Sequence, residues 1–132
     1  MKVVPVKAAQ AAEWRDRLEW HFESFCGDGS LDPDDLWADV DSKFRQLWVV
    51  EDDGAVKAAV LTSVCDDNYQ TCDVTHAAGE DRAAWQHLWD NLEVWATEIG
   101  CQRIRAFARS GWERILPLKR THVVLERFLD GQ

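Results

Sequence analysis

Two groups of side chains in this sequence have the types and spacing to do chemistry. The first is Cys72 with His76, a thiol and an imidazole four positions apart, the pairing that a cysteine nucleophile and its base require. No third residue stands by to orient the imidazole, so the pair by itself predicts no catalytic residue. Asp73 and His76 are also of the types that can accept a proton, but a strand that alternates its side chains sends neighbours of odd spacing to opposite faces. The second group is the run Arg103, Arg105, Arg109, Arg114, Lys119 and Arg120, with Trp112 inside it. Such a cluster suits an anionic ligand or an acidic protein surface. Trp and Arg dominate binding hot spots, which makes Arg105, Arg109, Trp112 and Arg114 candidates for a protein contact. Their structural alternatives are a solvated strand face and, for Trp112, a ring folded over the end of a sheet.

Metal chemistry finds no support. Cys26, Cys65, Cys72 and Cys101 are scattered with no Cys-x-x-Cys pair, and His21, His76, His87 and His122 have no ligand-like spacing, so reduced thiols and packed or surface imidazoles are expected. The acidic run Asp32, Asp34 and Asp35 has the wrong spacing for a calcium loop and reads as helix capping.

Charge and composition narrow the partners. The net charge is −9, divided as −13 over residues 1–100 and +4 over residues 101–132. The acidic part repels phosphate backbones, which argues against nucleic acid and leaves protein subunits, including copies of the chain itself, as the expected partners. With 46% hydrophobic residues and eight tryptophans the chain can bury a core, and no apolar run is long enough to span a bilayer. Met1-Lys-Val-Val-Pro5 lacks the charged-then-apolar pattern of a secretion signal, so a cytoplasmic location is expected.

The elements that must position these residues follow from periodicity. Lys2 to Lys7 reads as an edge strand, since Pro5 is tolerated there. Ala8 to Phe25 carries Ala11, Trp14, Leu18, His21 or Phe22, and Phe25 on one face of a helix, ended by Gly27 to Ser30. Asp32 caps a second helix with Pro33 at its first position and Leu36, Trp37, Val40 and Phe44 as its buried side. Leu47 to Glu51 and Ala55 to Val64 form a hairpin about Asp53-Gly54. After a loop over Cys65 to Gln70, Thr71 to His76 is a strand, and Ala77 to Asp81 leads into a long helix. That helix has Trp85, Leu88, Trp89, Leu92, Trp95 and Ile99 on one face and stops at Gly100. Cys101 to Arg109 alternates as a strand with Ile104, Ala106 and Ala108 on one side. Ser110 to Glu113 fits a capping box for a helix halted by Pro117, and Thr121 to Leu129 is a closing strand. Trp14, Trp37, Trp85 and Trp89 are expected in the core. The whole of residues 1–132 is one α/β (α+β) domain. It has three layers, with about six strands of mixed, mostly antiparallel twisted sheet flanked by helices in the order β-α-α-β-β-β-α-β-α-β.

This order resembles the GNAT fold of N-acetyltransferases. Trp48-Val-Val-Glu-Asp-Asp-Gly-Ala-Val-Lys-Ala-Ala-Val-Leu61 is similar to the family's second and third strands. Ile104-Arg-Ala-Phe-Ala-Arg-Ser-Gly-Trp-Glu-Arg-Ile-Leu116, followed by Thr121 to Leu129, is similar to its fifth strand, short helix and last strand. The segment Arg109-Ser-Gly-Trp-Glu-Arg114 also resembles small GNAT-like proteins encoded among the head and tail genes of tailed bacteriophages, which would place the chain in a host cytoplasm or a virion.

The GNAT resemblance implies a loop after the fourth strand reading Gln or Arg, two residues, Gly, one residue, then Gly or Ala. Its amides, at a helix N-terminus, cradle the pyrophosphate of coenzyme A. The stretch here is His76-Ala77-Ala78-Gly79-Glu80-Asp81, in which only Gly79 matches. Ala77, Ala78, Gly79 and the nearby cation Arg82 are the residues this resemblance offers for the cofactor. Glu80 and Asp81 would set carboxylates where phosphates arrive, or, structurally, cap the helix. The family's tyrosine acid after the short helix has no counterpart among Leu116, Pro117 and Leu118, and the only tyrosine is Tyr69. The expectation is a degenerate GNAT-like module, a protein-binding or structural component such as one of a phage virion, with no cofactor. The alternative is an active acetyl-coenzyme A dependent N-acetyltransferase.

Overall fold

The computed structural model of the chain describes residues 1–27, 31–66, 68–79 and 81–106. The expected helix from Ser110, the closing strand Thr121 to Leu129, and the side chains of Glu80, Arg109, Trp112 and Arg114 lie outside the described residues.

Hairpin chemistry sets the centre of the molecule. Asp53 and Gly54 have φ of 51° and 81°, the pair of positive values that a two-residue turn between right-twisted strands demands. They join β2 (Gln46–Asp52) to β3 (Ala55–Cys65). On one side β1 (Lys2–Val6) pairs antiparallel with β2 and forms the edge of the described sheet, with Pro5 opposite Trp48. On the other side β4 (Thr71–Gly79) pairs antiparallel with β3, and β5 (Arg103–Ala106) pairs parallel with β4. The strand order follows the sequence order.

Alternation along the strands divides the core in two. Leu47, Val49, Ala59 and Leu61 face α1 (Ala11–Arg15), α2 (Glu19–Cys26) and α3 (Pro33–Asp41), where Leu18, Phe22, Trp37 and Val40 fill the layer. Phe22 and Trp37 stack with ring centroids 3.9 Å apart. Trp48, Val50, Ala58 and Val60 face the other way, onto Ala84, Leu88, Trp89 and Leu92 of α4 (Arg82–Glu98), with Ile104 and Ala106 packed beside them. Truncating Phe22 or Leu88 to alanine would cost about 3–5 kcal/mol, because each is almost fully enclosed.

Three local expectations need correction. The first helical segment is not continuous: a 3-10 turn at Ala8–Gln10 precedes α1, and another at Asp16–Leu18 separates α1 from α2. The tighter winding turns Leu18 fully inward and leaves Arg17 free to donate to the Glu51 carboxylate at 2.7 Å and the Gly54 carbonyl at 2.9 Å. Phe44 is not on the buried side of α3. The helix ends at Asp41, Lys43 takes a positive φ of 66°, and Phe44 is 63% exposed. Ile99 lies just past the end of α4 and is exposed, so the apolar face of that helix closes one turn earlier. Trp37 and Trp89 are buried as expected, and Trp14 and Trp85 are partly so.

Candidate functional site

Most of the described candidate residues lie along β4 or beside its two ends: Cys72, Asp73, His76, Ala77, Ala78 and Gly79 on the strand, Arg82 after it and Arg105 on the neighbouring β5. The register of β4 with β3 slips by one residue, since Leu61 pairs with His76 but Thr62 pairs with Val74. Thr75 is the extra residue, a β-bulge, and it reverses the alternation beyond it. Val74 and Ala77 therefore both belong to the α4 side, whereas His76 meets Phe25 of α2 at 5.8 Å and Ala78 packs in the α2 layer.

The bulge separates Cys72 from His76. Cys72, two residues before Val74, lies on the α4 side with no exposed surface. Burial, reinforced by the nearby Cys101 and Asp73, pushes its thiol up to about 12, so no thiolate forms there near neutral pH. Asp73 is not available as a base: buried, it accepts from Arg105 Nε at 2.7 Å and Arg105 Nη2 at 3.1 Å. Arg105, a candidate for protein contact, is thus held in a bidentate fork on the sheet.

His76 sits in a network that the sequence did not announce. Arg45 donates from Nε to Asp39 Oδ2 at 3.0 Å and from Nη1 to Thr75 Oγ1 at 2.7 Å. The Thr75 hydroxyl lies 3.3 Å from the Leu61 carbonyl and 3.0 Å from His76 Nδ1. Burial, then the Arg45 guanidinium, hold His76 below the usual imidazole range, while Asp39 pulls weakly the other way. The ring is therefore uncharged near neutral pH. No periodicity marks a bulge at Thr75, and Arg45 and Asp39 are far from it in sequence.

At the far end, β4 runs three residues beyond its expected stop. Ala77, Ala78 and Gly79 are not loop but strand, paired with Val60, Ala59 and Ala58. Only two residues then connect β4 to α4. Gly79 has a reason to be glycine that involves no ligand: at φ 145°, a Cβ there would lie 2.7 Å from the Lys57 carbonyl and 2.8 Å from Ala58 Cα. Asp81 caps α4, its Oδ1 accepting from the Ala84 amide at 3.1 Å, as the sequence led us to expect. Arg82 opens the helix and is exposed. Beside this junction is a cleft of about 460 Å³ lined by Trp20, His21, Val56, Lys57, Gly79 and Asp81. Lys57 is itself a bulge residue, since Glu51 pairs with Val56 and Val50 with Ala58.

Among the described residues no three His, Cys, Asp or Glu side chains gather as a metal site. No described helix is long and apolar enough to cross a membrane.

No protein-family model matches the sequence, and no curated protein matches it. Solved structures do. A ribosomal-protein-alanine N-acetyltransferase from Brucella melitensis biovar Abortus 2308 is similar at a TM-score of 0.70 and 13% identity, over 97% of this chain and 100% of that one. An aminoglycoside acetyltransferase from an uncultured soil metagenomic sample, solved with sisomicin, is similar at 0.73 and 12%, over 97% and 95%. A predicted acetyltransferase from Clostridium acetobutylicum, solved with acetyl-CoA, is similar at 0.68 and 12%, over 97% and 96%. The order of elements, the mostly antiparallel sheet covered by helices and these likenesses together show that the chain has the GNAT fold.

Proposed function

We propose that this chain is a GNAT-fold module that has given up the cofactor and works by binding protein, as a partner of other subunits or of its own copies. One observation carries the reading: the carboxylate of Asp81 occupies the α4 amide of Ala84, at the helix end where a phosphate would otherwise be bound. The residues at this junction do not fit a pyrophosphate. Ala77, Ala78 and Gly79 are drawn into the β3 ladder, and a carboxylate about 4 Å from a phosphate oxygen costs roughly 1 kcal/mol in water and about 4 kcal/mol near a surface. The charge asymmetry of the sequence and the candidates Arg105, Arg109, Trp112 and Arg114 support an acidic protein surface as the partner, and the phage resemblance suggests a virion component.

A thermal-shift measurement with acetyl-CoA tests the reading. A ligand at one hundred times its dissociation constant adds about 2.7 kcal/mol, which would raise Tm by roughly 10 °C for a domain of this size. No shift is expected, and a clear one overturns the proposal. Solution mass, alone and with candidate partners, then reads assembly.

One observation favours the alternative, an active acetyl-CoA dependent N-acetyltransferase with an atypical pyrophosphate loop. His76 is uncharged and half-buried beside the Thr75 bulge, poised as a base for an amine. Thiol release from acetyl-CoA with an amine, abolished by His76→Phe, would establish that reading.

A further inference from the structure

Consecutive residues of a regular strand point to opposite faces, so the side chains of Thr75 and His76 should not be able to touch. They do. Thr75 Oγ1 lies 3.0 Å from His76 Nδ1, because the bulge at Thr75 brings the two side chains round together. The irregularity of β4 thus creates a contact that a straight strand forbids, and the proton in that contact can be assigned.

A threonine hydroxyl has one proton to give and two lone pairs to receive. Three partners surround this one. Arg45 Nη1 at 2.7 Å can only donate, and the Leu61 carbonyl at 3.3 Å can only accept. With the proton directed to Leu61 and one lone pair facing Arg45, the remaining lone pair faces His76, so the proton between them belongs to Nδ1. The guanidinium that orients the hydroxyl is itself anchored, since Arg45 Nε donates to Asp39 Oδ2 of α3 at 3.0 Å. The lone pair of the uncharged ring is therefore on Nε2. That atom meets no hydrogen-bond partner among the described residues, and it is not sealed. His21 Nδ1 is the one fully buried side-chain nitrogen or oxygen left without a partner among them, so His76 Nε2 keeps accessible surface.

We propose that Thr75 and Arg45 are positioning residues for His76: they hold its ring as the Nδ1–H tautomer and so turn Nε2 into a standing acceptor for the N–H of an amine. Free histidine prefers the opposite tautomer, with the proton on Nε2, which would offer an amine nitrogen a donor where it needs an acceptor. The arrangement spans three elements, with Asp39 on α3, Arg45 ahead of β2 and Thr75 on β4. It deepens the acetyltransferase reading and rests on it for the amine; the fixing of the ring is a property of the chain without any ligand.

Long-range proton–nitrogen correlation NMR of the isotope-labelled full chain, taken above the pH at which the ring titrates, reads the tautomer. The His76 signals are identified by their loss in His76→Gln. Nδ1 is expected to carry the proton and Nε2 the lone pair. Thr75→Val should move the proton to Nε2, whereas Thr75→Ser, which restores the hydroxyl, should keep it on Nδ1. Arg45→Met removes the cation that opposes protonation and leaves Asp39, the other charged group that acts on the ring, so His76 should titrate at higher pH. A purely structural role for Thr75 would lower Tm without moving the tautomer. A proton on Nε2 in the unaltered chain, or a tautomer unmoved by Thr75→Val, overturns the proposal. In the thiol-release assay Thr75→Val should lower kcat by about tenfold or more with KM little changed, and Thr75→Ser should restore it. Because the spectra are taken without acetyl-CoA, absence of thiol release from the unaltered chain would sink the acetyltransferase reading, while the position of the proton decides the proposal by itself.

Discussion

At the start of β4, Asp73 is buried and both of its carboxylate oxygens meet the Arg105 fork; past its end, Lys57 and Asp81 face one cleft without meeting, and His21 keeps an unpartnered nitrogen. The first arrangement is what a buried charge needs to be tolerated in a fold. The second leaves a buried nitrogen without a partner among the described residues. The difference teaches that polar groups on and beside β4 are not equivalent evidence: the paired carboxylate of Asp73 speaks of architecture, whereas a buried group without a partner needs an explanation of its own.

The comparison can be broken most severely at Gly79. Gly79→Ala would press a methyl group into the Lys57 and Ala58 backbone, and should lower the unfolding free energy by about 3–4 kcal/mol in urea titration. A loss under about 1 kcal/mol would mean that the end of β4 is not held by close strand contact. At the other end, Arg105→Ala leaves the Asp73 carboxylate buried and alone, and should cost about 2–3 kcal/mol. The double variant Asp73→Asn with Arg105→Gln should cost less than the two single changes added, since they share one interaction. Asp81→Ala removes the α4 cap for about 1 kcal/mol, while Asp81→Asn should be close to neutral in stability.

The smallest effect is pH dependence. His21 and His76 are both held below their ordinary value of 6.5, His21 by burial and His76 by burial with Arg45 beside it. As pH falls, the unfolded chain takes up protons on them first. Their contribution is therefore full above 6.5 and is lost as pH drops through 6.5 toward the lowered folded values. The urea midpoint should be lower at pH 5 than at pH 7, and His21→Phe with His76→Gln should flatten that slope.

Much of the frame was legible because local chemistry decided it. Asp53-Gly54 can hardly be other than a tight hairpin, Asp32-Pro33 and Asp81 announce helix starts, and the spacing of Leu88, Trp89 and Leu92 requires one apolar face. The site was less legible, for a physical reason. A β-bulge is set by how two strands settle against their layers, so the slip at Thr75 has no mark in its own neighbourhood, and with it went the side of the sheet on which His76 lies. The network of Arg45 and Asp39 joins residues some thirty positions from Thr75. Phe44 misled because a helical spacing continues in the sequence after Lys43 has already reversed the chain. The sequence places Ala77 to Gly79 in the lead into the long helix, whereas the strand continues through them and Gly79 is small because the β3 backbone approaches it closely.

The extra residue at Thr75 also bears on how this chain should be lined up with its structural kin. A homologue lacking it would show a one-residue gap in the middle of a strand, where alignment rules are least willing to open one. Forced through without the gap, the whole stretch from His76 to Gly79 would be offset by one place, and inward residues would be matched to outward ones. Motif correspondences drawn across that point should be made from superposed backbones and not from the letters.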